Sequence, residues 1–451
     1  MKKGIAFLVV SLFFSCTLHS QSFPTKNPTI EEIVSEISSE NIRLIVEKLV
    51  SFKTRHTLSD TLSQTTGIGA ARRWIKSEFE LYAKSSKGRM SVGFHEFIVS
   101  QSQRIPHPTN IVNIVATLQP LALKPESANR IFIVSGHYDS RASNPLDSIS
   151  AAPGANDDGS GTALVMELAR VFSKHEFEAT IKFIAFAGEE QGLIGSSALA
   201  TLAKEQGWDI EGIFNNDIVG NSHGGGGEAE STYVRLFSEA YSATDTGSIF
   251  RQRNSLGLEN DGSSRTLARY IKEIAEMYVP NFSVRMIYRR DRFLRGGDHT
   301  SFSDRGFPAV RFTEAKENFD RQHQDVRLEN GTSYGDVPEF MDFLYCANIA
   351  RVNAAALASL ALAPSAPDNV KVATRNLEYT TTLQWSNNPE LDLAGYYVRY
   401  RETTSPVWQN SIFTQDTSIT LHVSKDDYLF GVQAVDKDGN RSLISLPRPA
   451  R

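Results

Sequence analysis

Residues 131–140 read Ile131-Phe132-Ile133-Val134-Ser135-Gly136-His137-Tyr138-Asp139-Ser140. A short β-branched and aromatic run that breaks at Gly136 predicts a buried strand, with His137 and Asp139 delivered at its C-terminal end. Downstream of this strand two periodicities alternate: a helix over 161–172, a strand over 181–187, a helix over 196–204 and a strand over 213–218. That alternation predicts an α/β fold, a mostly parallel or mixed sheet with helices on both faces. Upstream, helical spacing covers 28–52 and 68–82, followed by β-rich runs at 92–99 and 110–117. The Gly-, Ser- and Asn-rich stretch 221–264 predicts a long loop with a helix around 233–243. A helix over 266–277, strands at 283–288 and 309–312 and a helix over 338–362 complete this block.

Pro-Ser-Ala-Pro at 364–367 marks a composition shift. Beyond it only short strands are predicted, at 370–374, 381–385, 395–401, 418–423 and 428–436, which suggests an all-β sandwich of immunoglobulin type. The N-terminus carries Lys2 and Lys3, an apolar run from Ile5 to Phe14 and a polar turn at Cys16 to Gln21. This is the secretory signal pattern. The reading divides the chain into a signal peptide at 1–20, a first domain at 21–363 and a second at 364–451. It expects a secreted or periplasmic protein, with Cys16 a candidate lipid-anchor site. No later window reaches 18 apolar residues, so no membrane span is expected. Cys346, inside an apolar helical stretch, is expected to be a buried thiol.

The 47 Lys and Arg residues are outnumbered by 52 Asp and Glu, a net charge of −5, so no phosphate-backbone footprint and no nucleic-acid partner is expected. The chemistry-bearing residues fall where strands are predicted to end: Gly136-His137-Tyr138-Asp139-Ser140, Ala187-Gly188-Glu189-Glu190, Asn215-Asn216-Asp217 and the stretch from Glu314 to Asp325. In open parallel sheets ligands bind at the carboxyl ends of the strands. A fifth motif, Gly154-Ala155-Asn156-Asp157-Asp158-Gly159-Ser160-Gly161, is a Gly-rich turn entering a helix, with Asp158 suited to the N-cap. Carboxylates converging without a Lys or Arg cluster repel one another unless a cation is present. Histidines mixed with carboxylates suit zinc, and a shared carboxylate can bridge two ions. Glu189, adjacent to a ligand, is then the candidate general base, and Asp139 the candidate to orient His137. No Gly-x-Ser-x-Gly elbow appears, which disfavours a serine hydrolase. His56, His95, His107, His175, His223 and His422 fit no cluster and are expected on the surface or in loops.

Taken together, these motifs in this order resemble the co-catalytic zinc aminopeptidases of metallopeptidase family 28, over about residues 40–360. The resemblance implies two Zn2+ per chain, held by His137, Asp157, Glu190, Asp217 and His323 with Asp157 bridging. It implies a hydrolase that cleaves the N-terminal peptide bond through a hydroxide held by the two ions, Glu189 as general base and Asp139 as the orienting carboxylate. It also implies a cis peptide at Asp157-Asp158. Gln322 stands where the family usually has Tyr before its last His. Arg295, with Asp298 and His299 of the following Gly-Asp-His-Thr-Ser-Phe segment, is therefore the candidate group near the oxyanion. The family also holds carboxypeptidases, dipeptidases, glutaminyl cyclases and non-catalytic ectodomains, which stand as alternatives. The C-terminal block resembles a fibronectin type III domain.

Overall fold

The computed structural model describes residues 26–120 and 129–450, so the expected signal peptide and Cys16 lie outside the described residues. Helices α1 (Pro28–Ser35), α2 (Ser39–Val50) and α3 (Gly67–Ala83) lead into β1 (Met90–Val99), β2 (Thr109–Leu118) and β3 (Arg130–His137). The alternating part follows: α4 (Gly159–Phe172), β4 (Thr180–Phe186), α5 (Ile194–Glu205), β5 (Asp209–Asn216), β6 (Tyr233–Ser238), α6 (Gly247–Ser255), α7 (Ser263–Tyr278), β7 (Ser283–Ile287), α8 (Asp298–Ser303) and β8 (Ala309–Thr313). A small ribbon of β9 (Arg327–Glu329) and β10 (Thr332–Tyr334) precedes α9 (Phe343–Leu362).

Eight strands form one mixed sheet in the order β1-β2-β4-β3-β5-β8-β6-β7. The neighbours β4, β3, β5 and β8 run parallel, so their carboxyl ends open on the same edge. β1, β2 and β6 supply the antiparallel joints. Gly136 and Gly161 are sequence requirements of this packing. A Cβ on Gly161 would stand 2.2 Å from Asn216 O, and one on Gly136 2.7 Å from the carbonyl carbon of Gly161. Only residues without a Cβ let α4 start directly against the ends of β3 and β5.

Two expectations are corrected. The helix around 233–243 is instead strand β6, whose Val234 and Leu236 are fully buried against both sheet neighbours. A short apolar run has no periodicity long enough to separate the two states, and pairing with β7 and β8 decides. The helix over 338–362 starts only at Phe343, where the Asp342 side chain accepts the Tyr345 N–H at 2.9 Å. α9 has a mean hydropathy high enough over 18 residues to cross a membrane by composition, but 78% of that window is buried and it packs against α1, α2, α4 and α7, in keeping with the expectation of no span. It is a core helix, and Cys346 on it is buried as expected.

Beyond α9 lie β11 (Lys371–Ala373), β12 (Thr381–Gln384), β13 (Leu393–Glu402), β14 (Asn410–Thr414), β15 (Ser418–Leu421), β16 (Tyr428–Asp436) and β17 (Arg448–Ala450). They form a four-stranded sheet, β15-β12-β11-β17, and a three-stranded sheet, β14-β13-β16. The two share a core of Leu383, Trp385, Tyr396, Val398, Leu421, Phe430 and Val432. This unit is bolted to α7: Arg401 reaches Asp261 at 2.7 Å, Arg269 reaches the same carboxylate at 2.7 Å, and Tyr270 Oη donates to Arg441 O at 2.8 Å.

Candidate metal centre and cleft

His137 closes β3, Asp157 sits in the turn into α4, Glu189 and Glu190 follow β4, Asp217 follows β5 and His323 lies in the loop after β8. The five expected ligands therefore meet at the edge where the parallel strands end. His137 Nε2 lies 3.3 Å from Asp157 Oδ1 and 4.0 Å from Asp217 Oδ1. His323 Nε2 lies 3.1 Å from Asp157 Oδ2 and 3.1 Å from Glu190 Oε1. Each group offers donor atoms within 4.8 Å of one another, and Asp157 belongs to both. The two oxygens of one carboxylate thus face two separate donor sets.

The turn that carries Asp157 is held from many sides. Asp158 accepts the Gly161 N–H at 3.0 Å as the N-cap of α4, and also the N–H groups of His137 at 2.9 Å and Ile218 at 3.2 Å. The Asp157–Asp158 peptide bond is cis. Ile218 and His323 adopt positive φ, 62° and 52°, conformations that a β-branched residue in particular avoids. Strain of this kind persists where surrounding contacts fix it, and Ile218 O accepts from Glu314 N at 2.8 Å and Thr313 Oγ1 at 3.1 Å.

Asp139 acts on four residues at once. Its Oδ1 lies 3.5 Å from His137 Nδ1 and its backbone O 3.2 Å from the same nitrogen, so the ring presents Nε2 to Asp157 and Asp217. Its carboxylate also accepts the N–H groups of Glu189 at 3.4 Å and Glu190 at 3.2 Å, and Thr57 Oγ1 at 3.0 Å. Glu189 lines the cleft; burial, reinforced by Asp217 and Glu190 and opposed by His137, holds its carboxyl well above the usual range.

The cleft itself, about 370 Å³, is lined by these acidic groups and His residues, by Leu193 and Ile218, and by four arginines, Arg104, Arg141, Arg292 and Arg295. The sequence reading expected no basic cluster here. Of the three residues expected near the oxyanion, only Arg295 lines the cleft. Asp298 is buried, and that burial pushes it up to about 7. His299 faces the core, with Nε2 2.9 Å from Arg290 O, and burial outweighs the nearby Asp291 to bring it down to about 4, a neutral imidazole. Gln322 is spent on neighbours: its Oε1 accepts from Arg295 at 3.3 Å and its Nε2 donates to Glu317 at 3.2 Å.

The family model for peptidase family M28 matches residues 113–340, from β2 to the turn before α9. The chain belongs to peptidase family M28. A probable zinc metalloprotease of Leptosphaeria maculans is 45% identical over 94% of this chain and 98% of its own length. Another probable zinc metalloprotease, of Pyrenophora teres f. teres, is 45% identical over 93% and 87%. Among solved structures, the Legionella pneumophila LapA aminopeptidase aligns with a TM-score of 0.52 at 20% identity, over 75% of this chain and 76% of that one. An aminopeptidase from Aneurinibacillus sp. strain AM-1 gives 0.52 at 17% identity, over 74% and 96%.

Within this M28 chain, two supporting residues had no signal in the sequence. Asp336 accepts the N–H groups of Asn156 and Asp157 at 2.8 and 2.7 Å. Arg55, fully buried, donates to Tyr138 O at 2.7 Å, Pro153 O at 2.6 Å and Gly154 O at 2.8 Å, so it ties the end of β3 to the Asp157 turn. His56, expected on the surface or in a loop, lies in the loop between α2 and α3 and is buried there, with Nε2 3.0 Å from Pro145 O.

Proposed function

We propose that this M28 peptidase is a zinc-dependent aminopeptidase that removes residues from the N-terminus of peptides. The observation that carries the reading is the division of Asp157, one oxygen toward His137 and the other toward His323. Two imidazoles and three carboxylates with one shared residue are the donor chemistry of a two-zinc hydrolytic site, and the relatives' names and the aminopeptidase structures of similar fold support it. His137 and Asp217 would hold one Zn2+, His323 and Glu190 the other, with Asp157 between them. Zinc bound there supplies Lewis acidity toward a peptide carbonyl and toward water.

The chain's own residues do the rest. Glu189 takes the proton of the attacking water and returns it to the leaving amine, since its carboxyl faces the cleft from the residue beside a ligand. Asp139 keeps Nε2 of His137 turned to the site and fixes the backbone from which Glu189 projects. A substrate's free α-amine binds among Glu189 and Asp217. Arg295 is the cleft's candidate partner for the carbonyl oxygen as negative charge develops.

Leucine-p-nitroanilide, with an N-acetylated control, tests the reading. Cleavage of the free-amine substrate alone, lost with chelator and restored by zinc at about two ions per chain, is the expected result; cleavage of the blocked substrate, or no metal dependence, overturns it. We further read residues 1–20 as an export signal, Cys16 as a candidate lipid anchor, and 364–451 as a fibronectin type III-like domain following a peptidase domain at 21–363. Mass spectrometry of the mature N-terminus checks the first two.

A further inference from the structure

The four arginines of the cleft come from three separate connections: Arg104 between β1 and β2, Arg141 just past β3, and Arg292 and Arg295 between β7 and α8. Their counter-charges fall short. Glu317 is shared by Arg235 at 2.6 Å, Arg292 at 3.0 Å and Arg295 at 3.7 Å, one carboxylate against three guanidiniums. Asp291 is already divided between Arg292 at 3.3 Å and Arg311 at 3.2 Å. Arg104 donates to Glu190 O at 2.8 Å, and Arg141 to Ala142 O and Ser143 O, both at 3.2 Å. Among the described residues neither has a carboxylate at ion-pairing distance. Each guanidinium carries five N–H donors, so most of those on Arg104 and Arg141 are left for something else.

We infer that the cleft selects peptides that carry a carboxylate within a residue or so of the scissile bond, either an acidic side chain or the free C-terminus of a dipeptide. This rests on the aminopeptidase reading above and adds the substrate class. A planar carboxylate matches the guanidinium fork in a way a neutral amide does not. Arg104 and Arg141 line the same cleft as the zinc-ligating residues, and the Arg104 guanidinium donates to the backbone of the ligand Glu190 at 2.8 Å, which sets the short spacing. Leu193 and Ile218 offer the apolar wall for the rest of the substrate. A charge-assisted contact between guanidinium and carboxylate at an open cleft is weakened by salt.

Two matched substrate pairs test this on the zinc-loaded full chain: Leu-Gly against Leu-Gly-NH2, and Leu-Glu-NH2 against Leu-Gln-NH2. The expected result is kcat/KM about tenfold higher for the carboxylate member of at least one pair, equivalent to about 1.4 kcal/mol. The difference lies in KM and shrinks as salt is raised from about 0.05 to about 0.5 M. A preference in the first pair assigns the C-terminal carboxylate, and one in the second assigns the side chain. In Arg104→Gln/Arg141→Gln the preference falls toward one, and Arg→Lys at both positions restores part of it. Equal hydrolysis within both pairs, or a preference that survives the double variant, overturns the inference and leaves the aminopeptidase reading standing. Hydrolysis of none of the four peptides overturns that reading and this one with it.

Discussion

Asp336 Oδ2 accepts the backbone N–H of Asp157 at 2.7 Å, across 179 residues of chain. The same carboxylate takes the Asn156 N–H at 2.8 Å, so the peptide that carries the shared ligand is held by a group that never faces the cleft. Supports of this kind set ligand orientation, and their loss typically lowers metal affinity or activity by about 10–100-fold. Asp336→Ala is expected to lower kcat/KM within that range and to weaken zinc retention in dialysis while the far-UV spectrum is kept. Asp336→Asn should recover little, because the amide keeps one acceptor oxygen and turns an N–H toward one of the two donors. Full activity and full metal content in both variants would remove Asp336 from the site's support.

Glu189 differs from Glu190 in what it touches: Glu190 Oε1 lies 3.1 Å from His323 Nε2, while Glu189 sits in neither donor group. A residue that moves protons without holding metal separates the two properties when it is changed. Glu189→Gln is expected to keep about two zinc ions per chain and to lose about a hundredfold to ten-thousandfold in kcat, the usual share of a general acid–base. Loss of zinc together with activity would make Glu189 a ligand instead, and unchanged kcat would remove it from proton transfer.

The site was legible because its residues are local to strand ends. His137, Glu190 and Asp217 each follow a strand whose apolar run stands out in the sequence, and topology then sets them side by side. Arg55 and Asp336 were not legible. Their hydrogen bonds run to Pro153, Gly154, Asn156 and Asp157 from 98 to 180 residues away, and no local spacing marks a residue for such a role. The arginine cleft lies between these cases. Arg104 and Arg141 are isolated in the chain and meet only in the fold, but Arg289-Arg290-Asp291-Arg292-Phe293-Leu294-Arg295 is a basic run visible in the sequence. β6 was misread because Tyr233-Val234-Arg235-Leu236-Phe237-Ser238 is too short for its period to be read, and burial on both faces removes the alternation of a surface strand.

Asp436 ends β16 and is buried, and that burial pushes its carboxyl up from 3.8 to about 6 even though Asn440 donates to it from both backbone and side chain. Its folded pKa lies above the unfolded one, so between about pH 4 and pH 6 the native state keeps a proton that the unfolded chain has released. Stability linked to this group is full below that window and falls as pH rises through it, by up to about 3 kcal/mol at about 1.4 kcal/mol per pH unit. Asp436→Asn removes that slope. Urea midpoints of wild type and variant at pH 4.5 and 7 check this, and parallel pH profiles in the two would show that Asp436 does not carry the effect.

Asp261 joins the two parts of the chain through a single carboxylate. It faces Arg401 of β13 with both oxygens at 2.7 Å and Arg269 of α7 at 2.7 Å, and all three side chains are buried. Removing one member of a buried ionic group leaves the others desolvated and unpaired, at a cost of about 3–5 kcal/mol. Asp261→Ala is therefore expected to lower the urea midpoint of the full chain and to speed hydrogen exchange in β13 and α7, where Arg269 Nε also donates to Pro406 O at 2.8 Å. Asp261→Asn should lose nearly as much, since the amide keeps the volume but not the charge that answers two guanidiniums. The proposed zinc site lies at the strand ends on other connections, so hydrolysis of leucine-p-nitroanilide by the folded variant is expected to match wild type. A drop in kcat with no drop in stability would instead mean that the docked C-terminal unit helps to shape the cleft.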